Sequence, residues 1–191
     1  MRHFLALALL ALASPAAAAG SFFEALKPLC GKAFAGAMES REAADADLAG
    51  QPLSMHVASC TDTEIRIPFL VGDNRSRTWF LTATPRGMQL KHRHRHEDGS
   101  LDAVTNYGGE HVGPAIAGPD GTLTLRFPAD AESKAMFQKE GLPQSVTNVW
   151  EMAILPGSRF TYRLTRPNRD FRVGFDLSKE VPVPAEPWGG L

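Results

Sequence analysis

Three of the chain's six histidines, His92, His94 and His96, stand at every second position inside the stretch from Leu90 to Gly99. Imidazole can ligate a metal, carry a proton near neutral pH or line a polar cavity, so this row holds more chemistry than any other stretch of the sequence. A strand turns alternate side chains to opposite faces. The histidines therefore extend the face of Met88 and Leu90, while Gln89, Lys91, Arg93 and Arg95 take the other. Glu97-Asp98-Gly99-Ser100 reads as a tight turn, which sets the row at a strand end, near the mouth of whatever its face encloses.

The outer pair of such a row is about 13 Å apart at Cα for a rise of ~3.3 Å per residue, so all three imidazoles can hardly meet on one ion. Two neighbours can. A zinc or copper centre would need His92 with His94, or His94 with His96, and further ligands such as His111, Asp102 or Glu97. The same row equally reads as the polar lining of a cavity, hydrogen-bonded to itself and to water, or as an exposed edge strand. A part-buried row would hold its pKa values below the ordinary 6.5 or so, because burial and close like charges both disfavour the protonated form. Tyr107, Trp79 and Trp150 join the histidines as candidate ligand-binding residues. Glu151, between Val149 and Ala153 on a strand, reads as a buried carboxylate that needs Arg77, Arg163 or Arg172 as partner. No Gly-x-Ser-x-Gly turn and no phosphate-binding glycine loop is present, so serine-triad hydrolysis and nucleotide chemistry have no support.

The elements that position these residues follow an exported start. Residues 1–19 have a basic beginning, an apolar run from Phe4 to Ala13 and Ala17-Ala18-Ala19 before Gly20, the pattern of a secretory signal peptide. No transmembrane segment is expected, because no run reaches the ~20 apolar residues a bilayer requires. A formal charge of −1 over 191 residues offers no field to gather nucleic acid, and the length suits one domain. Cys30 and Cys60 are the only cysteines, and in an exported chain they are expected to pair as a disulfide.

Phe22 to Lys27 reads as a short helix before Pro28, and Leu29 to Met38 as the first strand candidate. Glu39 to Gln51, with Glu39, Glu42, Asp45 and Asp47 and no large apolar residue but Leu48, reads as a solvated loop. From Pro52 strand-length alternations follow one another across short turns. They run through Leu53-Met55-Val57, Ile65-Ile67-Phe69-Val71, Arg77 to Thr82, the histidine strand, Leu101 to Tyr107, and Leu123-Leu125-Phe127. Asn148 to Leu155, Arg159 to Thr165 and Phe171 to Leu177 complete them. One helix is expected from Ala131 to about Glu140, capped by Asp130 and stopped by Gly141. Residues 181–191 read as a Pro-rich, extended, poorly packed tail after a single domain over residues 20–180. Eight or nine short strands in a meander predict an all-β, antiparallel up-and-down barrel, with a cupin-like sandwich as the alternative.

The order of short helix, Gly31 to Gly36 at the first strand, successive strands and a late Arg172 resembles the calycin superfamily of lipocalins, fatty-acid-binding proteins and nitrobindin-like barrels. Gly31-Lys32-Ala33-Phe34 stands where calycins carry Gly-x-Trp. Gly87, His92, His94, Glu97 and Gly99 come in the order of the first cupin metal motif, which would imply a histidine-ligated metal and a metal-dependent enzyme. The chain is also similar to an uncharacterised family of secreted bacterial proteins. That likeness is carried by Lys91 to Gly99, Tyr107-Gly108-Gly109, Phe127-Pro128-Ala129-Asp130, Asn148-Val149-Trp150 and Phe171 to Leu177; it implies export and no activity. The reading that joins these features is a periplasmic or secreted barrel holding an apolar or amphipathic small molecule, the histidines near its mouth. A histidine-ligated metal protein and a structural envelope component remain open beside it.

Overall fold

The computed structural model describes residues 16–191, so most of the expected signal peptide lies outside the described residues. Helix α1 (Ala16–Leu26) leads through a 3-10 turn into β1 (Ala33–Met38), and β2 (Leu53–His56), β3 (Ser59–Cys60), β4 (Glu64–Val71), β5 (Asn74–Thr84) and β6 (Gly87–His94) follow. After β7 (Tyr107–Val112), β8 (Ile116–Ala117) and β9 (Leu123–Pro128) comes α2 (Ala131–Lys139). Then β10 (Val149–Leu155), β11 (Arg159–Arg166) and β12 (Arg169–Val181) close the series.

With short β3 and β8 set aside, the strands from β1 to β7 and from β9 to β12 pair antiparallel in chain order and β1 pairs with β12, which makes one curled sheet; β3 lies on β4 and β8 on β9. Its two ends meet. Gly109 of β7 bridges Ala129 just past β9, and the Asp130 N–H donates to the Gly108 carbonyl at 2.9 Å. The expected up-and-down barrel is therefore the fold, and a two-sheet sandwich is not. Twelve strands are present among the described residues against the eight or nine expected: β3 and β8 are two residues long, too short for alternation to be read, and β7 begins at Tyr107, where the strand expected from Leu101 was to end.

Alternation sets which side chains face inward. Ile65, Ile67 and Phe69 of β4, Trp79 and Leu81 of β5, and Met88, Leu90 and His92 of β6 are all buried. Registered pairs stack these into rows around the wall: Phe69, Arg77 and His94; then Ile67, Trp79, His92 and Tyr107; then Ile65, Leu81, Leu90 and Gly109. Helix α1 supplies a plug. Phe22, Phe23 and Leu26 of α1 are buried in the same core as the strands. That helix feeds into Ala33, which pairs with Val181 at the far end of β12, so the plug lies opposite the end where β12 begins with Arg169 and Phe171.

The expected helix after Asp130 is present: the Asp130 carboxylate accepts the Ser133 N–H at 2.8 Å, and Gly141 takes φ +73°. Cys30 and Cys60 are bonded, with Cα atoms 6.2 Å apart, which ties the plug to the wall strand β3. Opening this 30-residue separation should cost about 3 kcal/mol, several degrees in Tm, and equally in Cys30→Ser and Cys60→Ser. Thermal melts of the two variants check this, and unequal losses would mean that the bridge does more than close one loop.

Three expectations are corrected. Residues Ala43–Leu48 form a 3-10 helix rather than a solvated loop, and Asp45 on it is buried, because Arg169 supplies the opposite charge that a carboxylate requires inside. Glu151 faces outward beside Arg126 at 3.5 Å, since Trp150, Met152 and Ile154 hold the inner face of β10. The tail is packed: Pro187 is buried, the Trp188 N–H donates to the Arg75 carbonyl at 3.1 Å, and Arg75 Nη1 donates to the Glu186 carbonyl at 3.0 Å. It covers Leu70, which β4 turns outward.

Candidate functional site

A cavity of about 170 Å³ opens at the histidine end of the barrel. Its wall is built from successive strands: Phe69 of β4, Arg77 and Trp79 of β5, His92 and His94 of β6, and Tyr107 of β7. Across from them stand Tyr162 and Leu164 of β11 and Arg169 and Phe171 of β12, and the 3-10 helix lays Asp45 and Leu48 over the opening. The volume is roughly tenfold what one water needs (~10–15 Å³) and below the ~300 Å³ at which drug-sized pockets begin.

Aromatic stacking fixes the wall. The Trp79 ring lies between Phe69, at 5.0 Å, and Tyr162, at 4.6 Å, nearly parallel to both. His92 stacks on Tyr107 at 4.7 Å with Trp150 behind them at 5.1 and 5.5 Å. Phe137 of α2 supports Tyr107 from outside at 5.3 Å.

The two tyrosines of the chain both bond to the histidines. His92 Nδ1 is 3.1 Å from the Tyr107 carbonyl oxygen, which can only accept, so the ring carries its proton there. Its Nε2 then accepts from the Tyr162 hydroxyl at 2.9 Å. The Tyr107 hydroxyl lies 3.0 Å from His94 Nε2. Both imidazoles are held neutral. Burial, and then the charge of His94, lowers His92 to about 3; burial, and then the Arg77 charge, lowers His94 to about 4. Burial likewise pushes both phenols up, so neither tyrosine is a nucleophile near neutral pH.

Arg169 is bound on both sides. Its Nη1 donates to Asp45 Oδ2 at 2.6 Å, and it pairs with Glu42 as well; the Asp45 bond first and the Glu42 bond next hold the guanidinium above its usual range. Arg77 differs. Its Nη1 meets only the neutral acceptors Asn74 Oδ1 at 3.2 Å and Ser76 Oγ at 3.3 Å, and among the described residues no carboxylate pairs with it.

Of the residues singled out from the sequence, His92, His94, Tyr107 and Trp79 come together on one wall. Trp150 does not reach the cavity, because His92 and Tyr107 stand in front of it. His96 is beyond the end of β6, with its side chain 58% exposed and 3.9 Å from Asp102, since the turn after His94 ends the pleat that would have carried it inward. His111 belongs to the seam: its Nδ1 accepts the Arg126 N–H at 3.1 Å and its Nε2 donates to the Pro114 carbonyl at 2.8 Å. Among the described residues no group of three His, Cys, Asp or Glu side chains is placed to hold a metal.

Asp45, Leu48, Phe69, Tyr162, Leu164, Arg169 and Phe171 were not anticipated at the site, and Arg77 was expected only as a partner of Glu151. One signal was available. Glu42, Asp45 and Leu48 recur every third residue, and a 3-10 helix eclipses positions three apart, so the two carboxylates reach one arginine while the leucine covers the cavity. No protein-family model matches the chain, and no curated protein or solved structure does.

Proposed function

We propose that this barrel is an exported binding protein for a small apolar or amphipathic molecule, held at the histidine end. The observation that carries the reading is the cavity, whose wall is mostly ring surface and whose histidines and tyrosines hydrogen-bond to one another. Such a wall offers an apolar guest contact area at little cost, since the rings are fixed by stacking before anything enters. Export is supported by the leader-like start and by the disulfide, which reducing compartments disfavour. Neutral histidines without a convergent third ligand, and phenols that stay protonated, favour holding a molecule over transforming one.

The test is a titration with single-ring compounds such as toluene and phenol, followed by NMR of the Trp79 indole and the Phe171 ring. Saturable shifts at these residues are expected. They should disappear in Leu164→Trp, which fills the cavity, while Tm stays near that of the parent. Shifts scattered over the surface, or none, would sink the reading.

A further inference from the structure

We infer that the guest is a single-ring carboxylate, its ring within the aromatic wall and its carboxylate on Arg77. This rests on the pocket reading above and adds the charge and size of the ligand.

Most of the charges at the cavity are already answered. Asp45 and Glu42 both pair with Arg169, so two carboxylates already answer the charge of that guanidinium. His92 and His94 bring no charge, as their burial keeps them unprotonated. Arg77 remains. Both of its hydrogen bonds leave from Nη1 and end on neutral oxygens, and its Nε and Nη2 make none with the described residues. The Nε–Nη2 edge of a guanidinium is one of the two that match a carboxylate with two parallel bonds, and such charge-assisted pairs are the strong ones. The field in the cavity agrees. At both His94 and Tyr107 the charge of Arg77 acts more strongly than that of Asp102.

Size and shape restrict the rest of the molecule. About 170 Å³ suits a one-ring body with a short substituent better than a multi-ring system or a long acyl chain. Phe69, Trp79, Tyr162 and Phe171 present ring faces and edges to whatever enters, which favours a ring over an aliphatic body. A cationic ligand would meet Arg77 unscreened. A purely inorganic anion would leave the apolar wall without a partner.

The experiment compares benzoate and phenylacetate with their amides, with benzylamine and with sulfate, by calorimetry and by the Trp79 indole signal. The carboxylates should bind at least tenfold more tightly than the amides, more weakly at high salt, and benzylamine should not bind. In Arg77→Gln the carboxylates should fall to the amides' affinity while the amides keep theirs. Arg77→Lys should recover only part of the difference, because it restores the charge without the fork. Thermal melts of both variants confirm that they remain folded. Amides binding as tightly as carboxylates, or an Arg77→Gln variant that discriminates as before, would overturn the carboxylate while leaving the pocket reading intact. Sulfate matching benzoate would overturn the ring. Failure of every probe, neutral ones included, would overturn both readings together.

Discussion

Gly109→Ala should abolish the native barrel or lower its Tm by about 10–20 °C, a loss on the order of 5 kcal/mol for a chain of this length. The cause lies at the seam. A Cβ at Gly109 would sit 1.9 Å from the Pro128 carbonyl oxygen, and one at the neighbouring Gly108 would sit 1.8 Å from the Leu90 carbonyl oxygen. Both obstacles are backbone, which cannot swing aside as a side chain can. Since β7 and β9 approach here to close the sheet, a methyl group would hold them apart and expose the edges that the closure covers. It would also pull Tyr107 and α2 from the cavity wall, because the Ser133 hydroxyl donates to the Gly108 carbonyl at 3.1 Å and accepts the Gly108 N–H at 2.8 Å. Gly157→Ala is the control. That glycine has φ +71° and open space around it, so the same substitution should cost only about 1 kcal/mol of backbone strain. Equal melting losses in the two variants would show that the seam is not held as described.

The meander was legible because each long strand announces its face by alternation, and the turns between them carry glycine, proline, asparagine or aspartate at the positions that need them. The pairing of β1 with β12 and the seam at Gly109 were not legible, since contacts between residues so far apart leave no periodic trace. His92 and His94 were placed on the inner face by spacing alone, and the structure holds them there. His96 shares the spacing and fails, because alternation predicts a face only while the strand continues. Glu151 failed for a related reason: both faces of β10 carry apolar residues, Val149 and Ala153 on one and Trp150, Met152 and Ile154 on the other, so the small ones misled. Asp45 was hidden by composition. A stretch rich in carboxylates looks solvated until the arginine that answers it arrives from a strand 124 residues later.

Stability should fall by about 3–4 kcal/mol between pH 7.5 and pH 5, chiefly through His92 and His94. Their folded values of about 3 and about 4 lie below the unfolded value near 6.5, so in this window the unfolded chain binds more protons than the folded one. Stability then rises with pH. The contribution is complete above about 6.5 and is lost as pH falls through that value toward about 4 for His94 and about 3 for His92. By linkage each fully buried histidine of this kind forfeits about 2 kcal/mol over the stated interval, and His94 somewhat less because it keeps contact with the cavity's solvent. The groups around them reinforce the direction. Arg77 opposes protonation of His94, Asp102 favours it more weakly, and the Tyr162 hydroxyl already occupies the His92 nitrogen that a second proton would take. His56, lowered chiefly by its burial, acts in the same sense. Urea melts across the pH range measure the effect, and His94→Gln should flatten the slope by a third to a half without removing it. A parent protein with no slope between pH 7.5 and 5, or NMR titration of His92 at an ordinary value, would mean that these rings are not the dry, neutral wall of the cavity described here.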